Sequence, residues 1–337
     1  MKSNWRTEFL LFLLVVFFMG QNHLAASEVE KHFQDIASVK IKTVSGDCIV
    51  SKNDKNEVEI VVVYDDNEDE FEPKFEQRGS RLLLSERFGG RGSSGRVVWR
   101  VRVPDGTKIE FSSSSGDLEA TGLNSDLTAG TSSGDVDLTD MEGDIKLGTA
   151  SGDIRIKGAS GELDFGTASG NITVAGTAGK LKLGTASGRL SAKDVEGKMR
   201  FGSASGDISI VRARGDFKIN TASGDIDAND IIISEESEFD AASGDIEVTL
   251  GKSPDHDLKI SAASGDVLLD FSGKPVRGHI VMTARARGGR IQTSFDFDDA
   301  VYFEERGQDY VTKIAHKGNG PKIDLRSDSG KVVIISK

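Results

Sequence analysis

Apolar, polar, apolar: the same three-residue pattern returns after one glycine turn after another. Ile154-Arg155-Ile156, Leu163-Asp164-Phe165, Ile172-Thr173-Val174, Leu181-Lys182-Leu183 and Ile208-Ser209-Ile210 all follow it. Alternation with period two predicts a strand with one buried face. The residues are largely β-branched, leucine or aromatic, which suits a pleated, half-buried surface. Glycines between the runs supply turns at little steric cost. No helical periodicity interrupts them, so the pattern predicts an all-β chain.

The spacing is regular enough to predict an architecture. Ser-Gly pairs start at Ser115 and return every 18 residues as far as Ser223, then at Ser243 and Ser264. Further glycines, Gly143, Gly161, Gly179, Gly197 and Gly215, fall midway. Nine-residue strand-turn units fit either an antiparallel meander or a parallel coil of two units. Thr-Ala-Ser-Gly recurs at 149–152, 167–170, 185–188 and 221–224, while the midway turns differ in sequence. Like stacks on like only if residue i lies over i+18. We therefore expect a parallel β-solenoid, a β-helix-like rod of 18-residue coils. Coiling also sets the two apolar strand faces against each other, and stacking several coils offsets the ordering entropy that one coil cannot.

Less periodic β segments flank the repeat. The expected organisation is a signal peptide over 1–26, an N-terminal β region or cap over 27–105, the solenoid over 106–270, and a C-terminal cap over 271–337. The leader places Lys2 and Arg6 before an apolar run from Phe9 to Met19, with Ala25-Ala26-Ser27 as the exit. That run is too short to span a bilayer. The mature chain is therefore expected to be exported (periplasmic, cell-surface or secreted) and not integral to a membrane. Cys48 is the only cysteine of the 337 residues, so no intramolecular disulfide forms. Its setting reads as strand core rather than reactive thiol.

The formal charge of −12 argues against nucleic acid as a partner. Candidate chemistry is sparse. The residues after Gly run Asp117, Asp135, Asp153, Asn171, Arg189, Asp207 and Asp225, and a cation in mid-column argues against a calcium ladder. Arg214-Gly215-Asp216 spells an integrin-type tripeptide, yet the repeat already accounts for its Gly-Asp. The acidic loop at 65–70 reads as solvated surface, and the Gly-rich loop at 89–95 lacks the strand-then-helix context of a phosphate cradle. No HExxH, nucleophile elbow or Cys/His cluster occurs, so neither catalytic residue nor cofactor is assigned. One feature suggests contact. Between the inward pairs of one strand set lie Lys146, Asp164, Lys182, Arg200 and Lys218. Lys146, Lys182, Arg200 and Lys218 form a candidate docking stripe for an envelope protein or an anionic polymer.

The leader, the early VSGDCIV, the segment RVVWRVRVPDGTKIEFSSSSGDLEATGL and the running SGDI/SGDV copies together are similar to a known family. They resemble the bacterial "putative adhesin" domain of unknown function, related to the toast-rack envelope domains. The resemblance spans roughly 38–337 and implies an exported or envelope-associated β-solenoid with no assigned reaction. The function expected is a non-enzymatic structural, adhesive or scaffolding module of the envelope. A carbohydrate-active β-helix enzyme and an envelope-stress signalling accessory are the alternatives. An enzyme site should appear as clustered acids or bases at a break in the repeat. The breaks at Ile231–Ser237 and Gly251–Asp257 carry acids, one Lys and one His but no compelling set.

Overall fold

A computed structural model describes residues 26–65, 71–88 and 96–336. The expected leader before Ala26, most of the acidic loop and the Gly-rich loop lie outside the described residues. All regular structure among those residues is strand.

Through the repeat, strands pair in parallel with partners one winding away. Leu127 pairs with Ile145, Ile145 with Leu163, and Leu163 with Leu181. The second strand set runs Val136, Ile154, Ile172 and Leu190 in the same manner. Where the sequence spacing stretches, the pairing stretches with it, Lys218 meeting Glu238 and Glu238 meeting Lys259. Inward side chains of both sets merge into one continuous apolar core. A corner column of Met141, Ala159, Val195, Ala213 and Ile231 completes it. Thr177 takes one place in that column, 2% exposed, and its hydroxyl has no hydrogen-bond partner among the described residues.

The Ser-Gly corner is fixed by sterics and by one hydroxyl per winding. Thr149 Oγ1 accepts from Gly152 N–H at 3.0 Å and donates to the Gly134 carbonyl of the winding below at 3.4 Å. Thr131, Thr167, Thr185 and Thr221 repeat the arrangement. Windings approach so closely here that a Cβ on Gly170 would sit 1.9 Å from the Gly152 oxygen. Beside the corner, each Asp accepts a backbone N–H from the next winding: Asp135 N–H to Asp117 at 2.7 Å, Asp153 N–H to Asp135 at 2.8 Å. Each such carboxylate thus ties one winding to the next rather than closing a turn within one. Asn171 serves the same ladder, accepting from Arg189 N–H at 3.0 Å.

Two Ser-Gly copies that stand alone in the sequence are members of this column. A Cβ on Gly116 would strike the Gly46 carbonyl, and one on Gly330 that of Gly265. The chain reaches both by leaving and returning. Ser38–Lys42 and Asp47–Lys52 lie between the strands 108–121 on one side and 81–103 on the other. At the far end Lys322–Ser327 lies between Leu258–Ala262 and Gly278–Arg285. Antiparallel strands finish both ends, Phe71–Arg78 and Ala26–Gln34 at one, Gln308–Lys317 and Asp299–Glu305 at the other. Glu86 occupies the first end of the column, accepting from Trp99 Nε1 at 2.9 Å and Val44 N–H at 2.7 Å. Cys48 is buried beside it, and burial, then the carboxylates of Asp47 and Glu86, pushes its thiol far above the ordinary range.

Candidate functional site: the charged face

Alternation sends every second side chain of the strand set containing Ile145–Thr149 outward. In register along this face stand Lys146, Asp164, Lys182, Arg200 and Lys218. The row continues in both directions, through Thr128, Glu110 and Lys40 one way, and Glu238, Lys259 and Asp324 the other. Four side chains assigned to the stripe therefore share one line, but they differ in availability. Lys182 pairs with Asp164 at 2.9 Å. Arg200 grips Asp216 through two bonds of 3.1 and 2.8 Å. Asp216 is 8% exposed, so the integrin-like tripeptide has its acid turned into the protein. Lys146 and Lys218 have no carboxylate within 4.0 Å among the described residues. A shallow groove of about 390 Å³ lies over Lys182, Arg200 and Lys218, floored by Gly166, Gly184 and Gly202.

Just past the break at Ile231–Ser237 the row becomes dense in charge. Glu238 and Asp240 point outward from one strand, against Lys259 and Ser261 of the next winding and Arg326 of the one beyond. Lys259 bridges to Glu238, and Ser261 donates to Asp240. The Lys259 hydrogen bond, opposed by burial, holds Glu238 below the usual carboxylate range. Burial pushes Asp240 up, the Ser261 bond opposes, and the Glu238 charge adds to the rise. Two neighbouring carboxyls are thus shifted in opposite directions, Glu238 down and Asp240 up. Arg326 is tied to Glu305 at 2.7 Å and to Asp328 at 2.8 Å, with its guanidinium 5.2 Å from the Tyr310 ring centre. A groove of about 350 Å³ opens over Asn220, Asp240, Ser261 and Arg326. Sequence reasoning passed over this cluster, although Ser237-Glu238-Phe239-Asp240-Ala241 shows the outward alternation plainly.

The family model described as Toastrack DUF4097 matches residues 88–213 and again 159–296, well over half of the chain between them. The chain belongs to the Toastrack family. That agrees with the adhesin-type resemblance read from the motifs. Solved structures of similar chains exist. One is described as a "putative cell adhesion protein" of Clostridium sporogenes, 12% identical, covering 93% of this chain and 100% of its own, with a TM-score of 0.22. Another is a "putative lipid binding protein" of Parabacteroides distasonis, 15% identical, covering 92% and 96%, with a TM-score of 0.36. A third, a "putative adhesin" of Parabacteroides merdae, is 12% identical with the same coverage and a TM-score of 0.32. No match is found among curated proteins. The described residues contain no helix long and apolar enough to cross a membrane.

Proposed function

We propose that this Toastrack chain is an exported, non-enzymatic module of the bacterial envelope with a structural, adhesive or scaffolding role. In this reading the leader over 1–26 is removed. The mature chain is a rod of 18-residue coils over 106–270, flanked by β regions over 27–105 and 271–337. One long face of the rod meets an envelope protein or an anionic polymer. The observation that carries the reading is the charged row itself: outward side chains repeat in register over many windings, a surface suited to an elongated partner. The test is capture of partners from envelope fractions by the wild type and by Lys146→Glu/Lys182→Glu/Lys218→Glu. Arg200 is spared because its loss would strand the buried Asp216. Reduced capture is expected, and undiminished capture would remove the face from the account.

A second reading, a glycan-cleaving enzyme, has one observation in its favour. Glu238 and Asp240 point outward from one strand just past a break in the repeat, and their proton affinities are shifted in opposite directions. Depolymerisation of glycans by purified protein, abolished by Glu238→Gln and by Asp240→Asn, would establish it.

A further inference from the structure

The strongest unassigned cationic feature lies at the amino end of the same face. A groove of about 740 Å³, roughly twice those farther along, is bounded by Ser38–Lys42, Phe71–Arg78 and the first residues of Arg81–Phe88. Lys40, Lys42, Arg78, Arg81 and Lys108 line it, against only two carboxylates, Glu76 and Glu110, among the described lining residues. Three of these cations are compensated: Lys40 by Glu110, Arg78 by Glu76 at 3.0 Å, and Lys108 by Asp126 at 3.4 Å. Arg81 and Lys42 form no ion pair within 4.0 Å among the described residues and share only the charge of Glu110, which is already bridged to Lys40. They flank Leu83, which is half-buried on the groove floor beside Lys40. In a chain of net charge −12, a groove with five cations against two carboxylates, two of the cations in no ion pair, points to an anionic ligand.

We propose that this groove binds an acidic polysaccharide, a glycan chain carrying carboxylates. Arg81 supplies a fork for a carboxylate, Lys42 a second positive charge, and Leu83 an apolar seat for one face of a sugar ring. The groove is in register with the charged row, through Lys40, Glu110 and Thr128 to Lys146. An extended chain seated there runs on along the rod, meeting the next uncompensated cation at Lys146. The described lining has no aromatic ring to stack a base, which sets a nucleic acid aside. The inference rests on the reading of this face as the contact surface, and it adds the ligand class and the anchoring residues.

The test is affinity electrophoresis of the mature protein in gels containing polygalacturonate or neutral dextran, with flotation on phosphatidylglycerol vesicles as a third arm. The wild type should be retarded by polygalacturonate alone, and the retardation should fade as salt rises. Lys42→Gln/Arg81→Gln should weaken it on the order of tenfold or more, with an unchanged melting temperature. Wild-type mobility unaffected by polygalacturonate, full retention by the double variant, or equal binding to vesicles would overturn the assignment. Envelope capture that persists in the double variant but fails in Lys146→Glu/Lys182→Glu/Lys218→Glu would sink the groove and leave the contact face standing.

Discussion

Two of the repeat's sets of glycines have opposite reasons to exist. The Ser-Gly set lies at a corner where consecutive windings nearly touch, and a Cβ there would overlap a carbonyl oxygen. The other set, Gly148, Gly166 and Gly184 among them, lies mid-strand and faces outward. A Cβ on Gly148 or Gly184 would meet nothing within 4 Å, and one on Gly166 nothing nearer than 3.9 Å. None of these three has a left-handed backbone. Glycine inside a strand is ordinarily a cost. The first set builds the solenoid, whereas the second leaves its charged face smooth at a price in stability. A repeated residue is therefore not evidence of a repeated role.

The sharpest break of that contrast is Gly170→Ala against Gly166→Ala, four residues apart. The first should lose ~3 kcal/mol or more, because two backbones must separate. The second should change stability by less than ~1 kcal/mol, toward greater stability. Equal effects in chemical denaturation would erase the distinction. Ile208→Asp against Ser209→Asp extends it from glycines to side chains. Ile208 is 1% exposed, so a carboxylate there should cost several kcal/mol, on the order of a buried unpaired charge. Ser209 points outward, and its change should stay within ~0.5 kcal/mol.

Smaller effects concern polar groups that the core or the ladder must accommodate. Thr177 buries an unpartnered hydroxyl in an otherwise apolar column. Thr177→Val should raise stability by ~1 kcal/mol, and a lowered melting temperature would show that the hydroxyl is satisfied after all. Asp266 closes the Asp ladder onto the returning strand, accepting from Lys331 N–H at 2.7 Å. That bond, opposed by burial and aided by the Lys331 ammonium, holds its carboxyl below the usual range. A depressed folded-state pKa contributes stability that is complete above the unfolded value and is lost as pH falls through the folded one. The wild-type melting temperature should therefore fall more steeply than that of Asp266→Asn below about pH 4. Parallel curves would deny Asp266 this part.

The β class and the strand alternation were legible because inside and outside alternate locally, and the four stripe residues do share one line. The winding order at the ends was not. Cys48 pairs with Leu118, 70 residues on, across an excursion that no local period records. Ser329-Gly330 joins Gly265 in the same manner. Compensation within the stripe was hidden too, since Asp216 reaches Arg200 from a corner position outside the row. The amino-terminal groove was invisible for a related reason. Lys42 and Arg81 reach one cavity only because two distant strands pair.

The most direct test is a distance between spin labels at positions 128 and 218, in a chain whose buried Cys48 is replaced by alanine. These positions are five windings apart on one row, which at ~4.8 Å per step places them about 24 Å apart. A distribution centred near that value, broadened by the label arms, is expected. A centre near 48 Å, the span of consecutive hairpins at the same spacing, would contradict the stacked windings and the charged face with them.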